Sequence, residues 1–498
     1  MRKNMKQMLT GFYLVEKLKR QLGVFLLLSI IAISGCKKFL DLPPPITSLG
    51  SDNVYATDAT ASAVLIGIYT SMALNSPTSG VTFNAEPLLT ALSSDELTLF
   101  GGAANANTTL LQFYEDNVQP GNPAQGSSFW AYVYSQIYVC NISIERLQSS
   151  TTLTPAVKQQ LIGEAKFLRA YFYFYLVNLY GDVPLAISSN VTINASLART
   201  QQTQVYQQII ADLVSAQSLL SDGYVAADGK TQTPERVRPN KWAATALLAR
   251  VYLYQKDWPD AVTQSTAVIN NNAEYSLVPL NNVFLKNSNE TIWSLQPVNF
   301  GWNTEEARFF ILPASGPTSN VSPPGGYPVY LSTLLLNAFE PNDQRLIAWV
   351  NSVMVNGTVY YFPYKYKSAT LNAAVTEYTV EFRLGEQYLI RSEAEANNND
   401  PTDAVKDLNV IRVRAGLPAY SGATDQTSLL TAVLHEREVE LFTEGHRWLD
   451  LKRTNTANII MNAVAPDKGT TWNANWQLYP IPAYDILQDG NIKQNPGY

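Results

Sequence analysis

Apolar residues recur at helical spacing along most of this chain of 498 residues. Between Asp58 and Met72 they stand three and four positions apart, which predicts an amphipathic helix. Similar patterns predict further helices at about 127–148, 155–180, 203–220, 239–255, 258–271, 384–398, 401–414 and 427–445. The chain is therefore predicted to be mainly α-helical.

Two stretches of this pattern resemble tetratricopeptide units, in which two helices pack as an antiparallel pair. Small residues would allow close approach of the paired helices, and ordinary antiparallel hairpins remain the alternative interpretation. The first stretch carries Leu248, Ala249, Tyr252 and Ala261, and the second carries Leu389, Ser392, Ala404, Leu408 and Ile411.

The helical pattern is interrupted at about 75–126 and again at about 275–383. Residues 290–296 alternate in polarity like a strand, and Asn356-Gly357 stands between two β-prone runs, which predicts a tight hairpin. Long loop-rich regions on a helical scaffold are where binding residues concentrate. We therefore expect the functional site in these two regions.

The N-terminus has the pattern of an export signal. Basic residues precede a short apolar run at 24–35, and small residues lead to Cys36, as in a bacterial lipoprotein signal. The run is too short for a typical transmembrane helix, although that interpretation and a plain cleaved signal are the alternatives. Cleavage would leave Cys36 as a lipidated N-terminus, followed by an extended tether that contains Pro43, Pro44 and Pro45.

Loss of residues 1–35 would leave a net formal charge of about −11, which argues against nucleic-acid binding. The plentiful Asn, Gln, Ser, Thr and Tyr would suit neutral, hydroxyl-rich ligands. With Cys36 lipidated, Cys140 would have no intramolecular disulfide partner, and its apolar surroundings predict a buried, inert thiol.

Motifs for catalysis are incomplete. Residues 223–231 have one residue too many between the glycines of a phosphate loop, and His435-Glu436 lacks the second histidine of a zinc-protease helix. The helix around Glu436, Glu438, Glu440 and Glu444 also holds arginines nearby, so we interpret it as a salt-bridged structural helix. We expect no catalytic residues, no metal site and no cofactor.

Several blocks, in order along the chain, resemble the SusD/RagB family of outer-membrane lipoproteins that bind nutrients. The C-terminal blocks read LIRSEAEA, AVKDLNVIRVRAGL, EREVELFTEGHRWLDLKR and YPIPAYDIL with a final QNPGY. The blocks lie at 36–41, 94–96, 165–174, 179–184, 389–396, 404–417, 436–453 and 479–498. The resemblance therefore covers essentially the whole chain after Cys36.

The resemblance implies a SusD-like fold, in which tetratricopeptide-like helix pairs support a loop-rich part with a few short strands. It also implies a non-enzymatic protein that is lipid-anchored in the outer membrane of a Gram-negative bacterium, faces outward and binds glycans or similar nutrients. Its partner would be a SusC-like TonB-dependent transporter, over which it would act as a lid. A surface glycoside hydrolase and a structural or adhesive lipoprotein are the alternatives.

The expected organisation has six parts. They are a lipoprotein signal peptide at 1–35, a lipidated tether at 36–57, an N-terminal SusD-like helical region at 58–240, a tetratricopeptide-like hairpin with short strands at 241–300, a loop-rich region at 301–383 and a C-terminal RagB/SusD region at 384–498.

The family's ligand contacts follow no motif, so candidates come from the chemistry of sugars. Aromatic rings stack on the C–H faces of sugars, and amide or charged side chains hydrogen-bond their hydroxyl groups. Of the loop residues we favour the turn 299–303, because Gly301 would let the backbone turn and expose a flanking ring. The candidate ligand-binding residues are Phe83, Asp95, Phe100, Trp302, Asn303, Tyr327 and Tyr330.

Overall fold

A computed structural model describes residues 54–74, 86–105, 107–319 and 326–498. The predicted signal peptide, the tether up to residue 53, the lipidation site Cys36 and the candidate Phe83 lie outside these residues. Within them, the predominance of helices and the few short strands confirm the predicted fold class.

Helices account for most of the described chain. Their bounds are α1 Asp58–Leu74, α2 Glu86–Ser93, α3 Thr108–Tyr114, α4 Ala131–Ser149, α5 Pro155–Tyr180, α6 Val191–Asn194, α7 Gln202–Leu219, α8 Lys241–Gln255, α9 Trp258–Ile269, α10 Glu305–Phe310, α11 Thr333–Ala338, α12 Gln344–Ala348, α13 Leu384–Asn397, α14 Pro401–Arg414, α15 Gln426–Leu441, α16 Arg447–Arg453, α17 Ala457–Val464 and α18 Ala483–Gln488.

The strands are short and antiparallel. They are β1 Leu97–Leu99, β2 Val183–Pro184, β3 Arg199–Thr200, β4 Thr291–Leu295, β5 Val329–Leu331, β6 Val350–Val355, β7 Thr358–Pro363 and β8 Thr379–Arg383. Their pairings are β1 with β5, β2 with β3, β4 with β8 and β6 with β7.

Helix α5 forms the centre of the core. Pro155 occupies its first turn, and its end is set by Gly181, whose φ of 78° is costly for other residues. The helix is buried almost all round, as expected of a helix without a polar face. Its Tyr171 ring lies 5.2 Å from Trp293 of β4 and 5.8 Å from Phe382 of β8, so the β4–β8 pair packs directly on α5.

The predicted helix pairs are present. Helices α8 and α9 pack together through the fully buried Ala249 and Ala261, and in the α13–α14 pair Ser392 donates a hydrogen bond to the Ala404 carbonyl at 2.7 Å. The two pairs are also adjacent, since Arg391 of α13 donates to Thr266 of α9 at 3.2 Å. The two predicted helix pairs therefore lie side by side, as tetratricopeptide-like packing requires.

Two predicted strand features are also confirmed. Asn356 and Gly357 join β6 to β7 with φ values of 48° and 83°, as a tight hairpin with two positive-φ residues requires. The strand predicted at 290–296 is β4. In addition, β1 pairs with β5, which places Thr98 opposite Tyr330 and brings the two predicted loop-rich regions together.

The sequence pattern missed several short helices and misplaced two ends. The regions expected to be irregular contain α2, α3, α10, α11 and α12. The helix predicted at 427–445 ends at Leu441, because Thr443 has a φ of 56°. The helix predicted at 127–148 begins at Ala131, because a π-helical turn that starts at Ala124 precedes it. No helix of the described residues has the length and apolar character needed to cross a membrane.

Candidate functional site

Two candidate residues are buried and already paired. Asp95 is 6% exposed and accepts hydrogen bonds of 2.8 and 2.6 Å from Arg447. Asn303 is 2% exposed; its side-chain oxygen accepts from the backbone of Thr376 at 2.8 Å, and its amide donates to the Ala374 carbonyl at 3.1 Å. Neither side chain presents a free polar group to solvent, so neither belongs to an open binding surface.

Three further candidates lie on or next to the paired strands β1 and β5. Tyr330 and Phe100 both contact Tyr360 of the hairpin edge-on, with ring centres 5.2 and 6.0 Å apart. Tyr327 is half-buried; its carbonyl accepts a hydrogen bond from the Thr318 amide at 2.9 Å, and its amide donates to the Thr318 hydroxyl at 3.2 Å. Phe100 and Tyr330 are therefore brought together through Tyr360, a residue that was not among the sequence-derived candidates.

Tyr330 also lines a cleft of about 540 Å³ between the β6–β7 hairpin and the short helices α11 and α12. Tyr361, which is 40% exposed, stands in the same cleft. Polar side chains from both sides reach the cleft, namely Thr333, Asn337, Asn351 and Ser352. Rings beside amide and hydroxyl groups have the chemistry that binds sugars.

The second surface is the turn from Asn299 to Trp302, here called the Phe300 turn. The Trp302 amide donates to the Asn299 carbonyl at 3.1 Å, and Gly301 has a φ of 80°. This is the geometry of a type II turn, in which glycine follows the residue at the outer corner. That corner residue is Phe300, whose side chain is 95% exposed.

Polar contacts hold this turn against α10. Asn299 donates to Glu305 at 2.6 Å, and Glu305 also forms an ion pair with Arg308 at 3.3 Å. The Arg308 guanidinium in turn lies 4.9 Å from the centre of the Trp302 ring, a favourable cation–π distance. The candidate Trp302 is thus half-buried and supports the turn.

The opposite side of the turn is held by the loop that precedes β8. The Asn372 amide donates to the Gly301 carbonyl at 2.7 Å, and a side chain at position 301 would collide with the Asn372 side chain. The Phe300 turn is therefore fixed on both sides while its ring remains in solvent. An exposed ring on a fixed turn can stack on a sugar, and the neighbouring amide and guanidinium groups can hydrogen-bond its hydroxyl groups.

The sequence pattern predicts an exposed ring at this turn and favours Trp302, whereas the structure exposes Phe300. The signal for Phe300 was present, because a glycine at the third position of a type II turn places the preceding residue at the corner. The burial of Asp95 and Asn303 had no comparable signal, since their partners, Arg447 and the backbone of residues 374–377 respectively, are far away in the sequence.

The glutamate-rich helix α15 has a structural role. Glu440 lies within 2.9 Å of Arg345 and 2.6 Å of Arg383, and it contacts Arg414 as well. These cations hold the pKa of Glu440 well below its usual range. The interpretation of a salt-bridged helix is confirmed.

The thiol of Cys140 is also in a structural position. Cys140 is fully buried, and burial raises the pKa of its thiol to about 12, which makes it a poor nucleophile. Among the described residues no group of three His, Cys, Asp or Glu side chains is arranged to hold a metal ion.

Family comparisons cover most of the chain. Residues 38–253 match a SusD-like family model described as starch-binding and associating with the outer membrane. Residues 348–498 match a second model, described as the SusD family. The chain belongs to the SusD family.

Individual relatives agree over nearly the full length. SusD-like protein P2 of Formosa agariphila is 25% identical over an alignment that covers 94% of this chain and 98% of that protein. A SusD superfamily protein from Bacteroides vulgatus has a similar fold, with a TM-score of 0.75, 20% identity and coverage of 89% of this chain and 99% of that one. Surface glycan-binding protein A from Bacteroides uniformis gives a TM-score of 0.73 at 22% identity, covering 88% and 99%.

Proposed function

We propose that this protein binds glycans and that the Phe300 turn is part of its binding surface. The observation that carries the proposal is the 95% exposed Phe300 ring on a turn that is held from both sides. Single exposed apolar side chains are common on protein surfaces, but this ring stands on a fixed turn beside polar groups, where it can stack on the C–H face of a sugar. Membership of a family with glycan-binding relatives supports the same ligand class.

The proposal extends to location and partner. The signal pattern that ends at Cys36 supports a lipid anchor, and the family description supports association with the outer membrane. In this proposal the protein faces the cell exterior, captures a glycan and delivers it to a SusC-like TonB-dependent transporter, over which it closes as a lid. It performs no catalysis itself.

The deciding experiment is a binding screen of the purified protein without its signal peptide. Affinity electrophoresis against a panel of neutral and acidic polysaccharides is expected to show retardation by at least one neutral glycan, without release of reducing sugar. Release of oligosaccharide products would favour a glycoside hydrolase. The absence of retardation across the panel, with protein association still present, would favour a structural or adhesive lipoprotein.

The anchor is tested separately. Cys36→Ala is expected to move the protein from the membrane fraction to the soluble fraction, because lipidation requires the thiol. Fractionation followed by immunoblotting measures this change, with Cys140→Ala as the matched control that keeps the anchor. Membrane retention of the Cys36 variant would contradict the anchor. Resistance of the wild-type protein to protease added to intact cells would contradict its outward orientation.

A further inference from the structure

Beside helix α10 lies a small, partly enclosed cavity lined by carboxylates from separate parts of the chain. Glu86 of α2, Glu306 of α10 and Glu381 of β8 all border it, and tyrosines of α5 close the opposite side. The cavity measures about 30 Å³, which is room for one or two water molecules. These three acidic groups, together with Glu444, therefore border one small volume at the junction of α2, α10 and β8.

The partners of these carboxylates are mostly neutral hydroxyl groups. Thr379 donates to Glu306 at 2.9 Å, and the Tyr171 hydroxyl donates to Glu381. Glu86 is only 3% exposed, and its Oε1 atom is buried without a hydrogen-bond partner. Within the described residues, none of the three forms an ion pair.

The neighbouring cations are engaged elsewhere. Arg250 is held by both oxygens of Glu386 at 2.7 Å, and Lys452 donates to the Asn178 carbonyl at 2.5 Å. The fourth carboxylate at the cavity, Glu444, is paired with Lys365 and Arg383.

The remaining titratable groups around the cavity are neutral near pH 7. Burial moves the pKa of His446 well below its usual value and raises the pKa values of Tyr171, Tyr175 and Tyr366. Lys452 is the exception, because burial lowers its pKa to about 7. Near neutral pH the charge at the cavity is therefore governed by protons on its own carboxylates and on Lys452, and loss of both as the pH rises makes the cavity more negative.

Helix α10 connects this cavity to the Phe300 turn. Glu306 points into the cavity, whereas the adjacent Glu305 accepts from Asn299 and pairs with Arg308, which covers Trp302. A displacement of α10 away from the cavity would therefore loosen the contacts that immobilise the turn. The residue that contacts the turn, Glu305, and the residue that reaches the cavity, Glu306, are therefore adjacent in the chain.

We propose that protonation of the Glu86–Glu306–Glu381 cluster holds α10 against the core and thereby controls the ligand affinity of the Phe300 turn. The ligand part of this inference rests on the proposed function. When the carboxylates share protons, they can hydrogen-bond within the cavity. When they ionise, like charges in a low-dielectric volume repel one another.

The relevant pH range lies near neutrality. Burial and neighbouring carboxylates raise the pKa of Glu86 and Glu306 to about 8, and burial raises that of Glu381 to about 7. Because the pKa values in the folded state exceed those of the unfolded chain, the stability contributed by protonation is complete at acidic pH. It is lost as the pH rises through about 7 to 8.

Hydrogen exchange of the purified protein tests the connection without any ligand. After correction for the intrinsic pH dependence, amides of residues 299–310 are expected to exchange about tenfold faster near pH 9 than near pH 6. Glu306→Gln should flatten this dependence, because the neutral amide keeps α10 in place, and Glu381→Gln should reduce it. Asp403→Asn, a change at an exposed carboxylate, should retain the wild-type dependence.

The affinity for the best glycan of the screen is then measured over the same range. We expect about a tenfold loss toward pH 9 in the wild type and little loss in Glu306→Gln. Exchange that is independent of pH, or an unchanged pH dependence in both cavity variants, would overturn the inference. Exchange that follows pH in a protein that binds no glycan would support the α10 connection and overturn only the proposed function.

Discussion

Replacing Glu440 with glutamine is expected to destabilise the protein by about 3–5 kcal/mol, which is a large share of the stability of a folded domain. Glu440 is fully buried and is the common partner of Arg345, Arg383 and Arg414. Glutamine keeps the size of the side chain but removes its charge, so three buried guanidinium groups lose a shared counter-ion. Urea unfolding followed by circular dichroism measures the difference.

The matched control is Asp403→Asn, which removes a charge from an ion pair with Lys406 that is exposed to solvent. Such pairs contribute about 0–1 kcal/mol, so this variant should unfold close to the wild type. The sign of the pH effect follows from the lowered pKa of Glu440. Its stabilising contribution is present above about pH 4.5 and is lost as the pH falls, so wild type and variant should converge in acid. A difference below about 1 kcal/mol at pH 7 would contradict the role assigned to Glu440.

The ion pairs around Glu440 show which structural features the family resemblance predicts. Arg412, Arg414, Glu436 and Glu440 all belong to the C-terminal blocks that resemble the SusD/RagB family, and all take part in buried or half-buried ion pairs. These motifs therefore specify how helices α14 and α15 pack. They carry no information about the ligand, because their side chains are engaged in ion pairs within the fold.

Local chemistry was enough to predict the elements whose signals lie within a few residues. Asn356-Gly357 predicts the hairpin because both positions accept positive φ, and Pro155 and Gly181 mark the two ends of α5. The end of α15 had no such signal. The Thr443 amide there is bound by Glu96, a residue from the distant N-terminal half of the chain.

The candidate site was likewise predictable only where the signal lies within a few residues. The position of Gly301 predicts a turn with an exposed ring, and the structure places Phe300 rather than Trp302 at its corner. What sequence could not provide was the set of contacts across the fold, such as Arg447 on Asp95 and the backbone of residues 374–377 on Asn303. Candidates chosen by residue type alone thus included two that the fold uses internally.

Phe300→Ala is expected to weaken glycan binding by about tenfold or more, because the ring would supply the stacking surface. Its side chain is almost fully exposed, so the free energy of unfolding should change by less than about 0.5 kcal/mol. Trp302→Ala should weaken binding as well, since it removes the ring on which Arg308 rests. Isothermal titration with the best glycan of the screen measures both changes.

The matched control is Tyr361→Ala, which removes an exposed ring from the cleft beside Tyr330. If the glycan lies on the Phe300 turn, this variant should retain wild-type affinity, because no side chain that lines the cleft belongs to the turn. The reverse result, with binding lost in Tyr361→Ala and kept in Phe300→Ala, would move the site to the cleft. Partial loss in both variants would instead require a glycan long enough to contact both surfaces, which a series of oligosaccharides of increasing length would reveal as a stepwise gain in affinity.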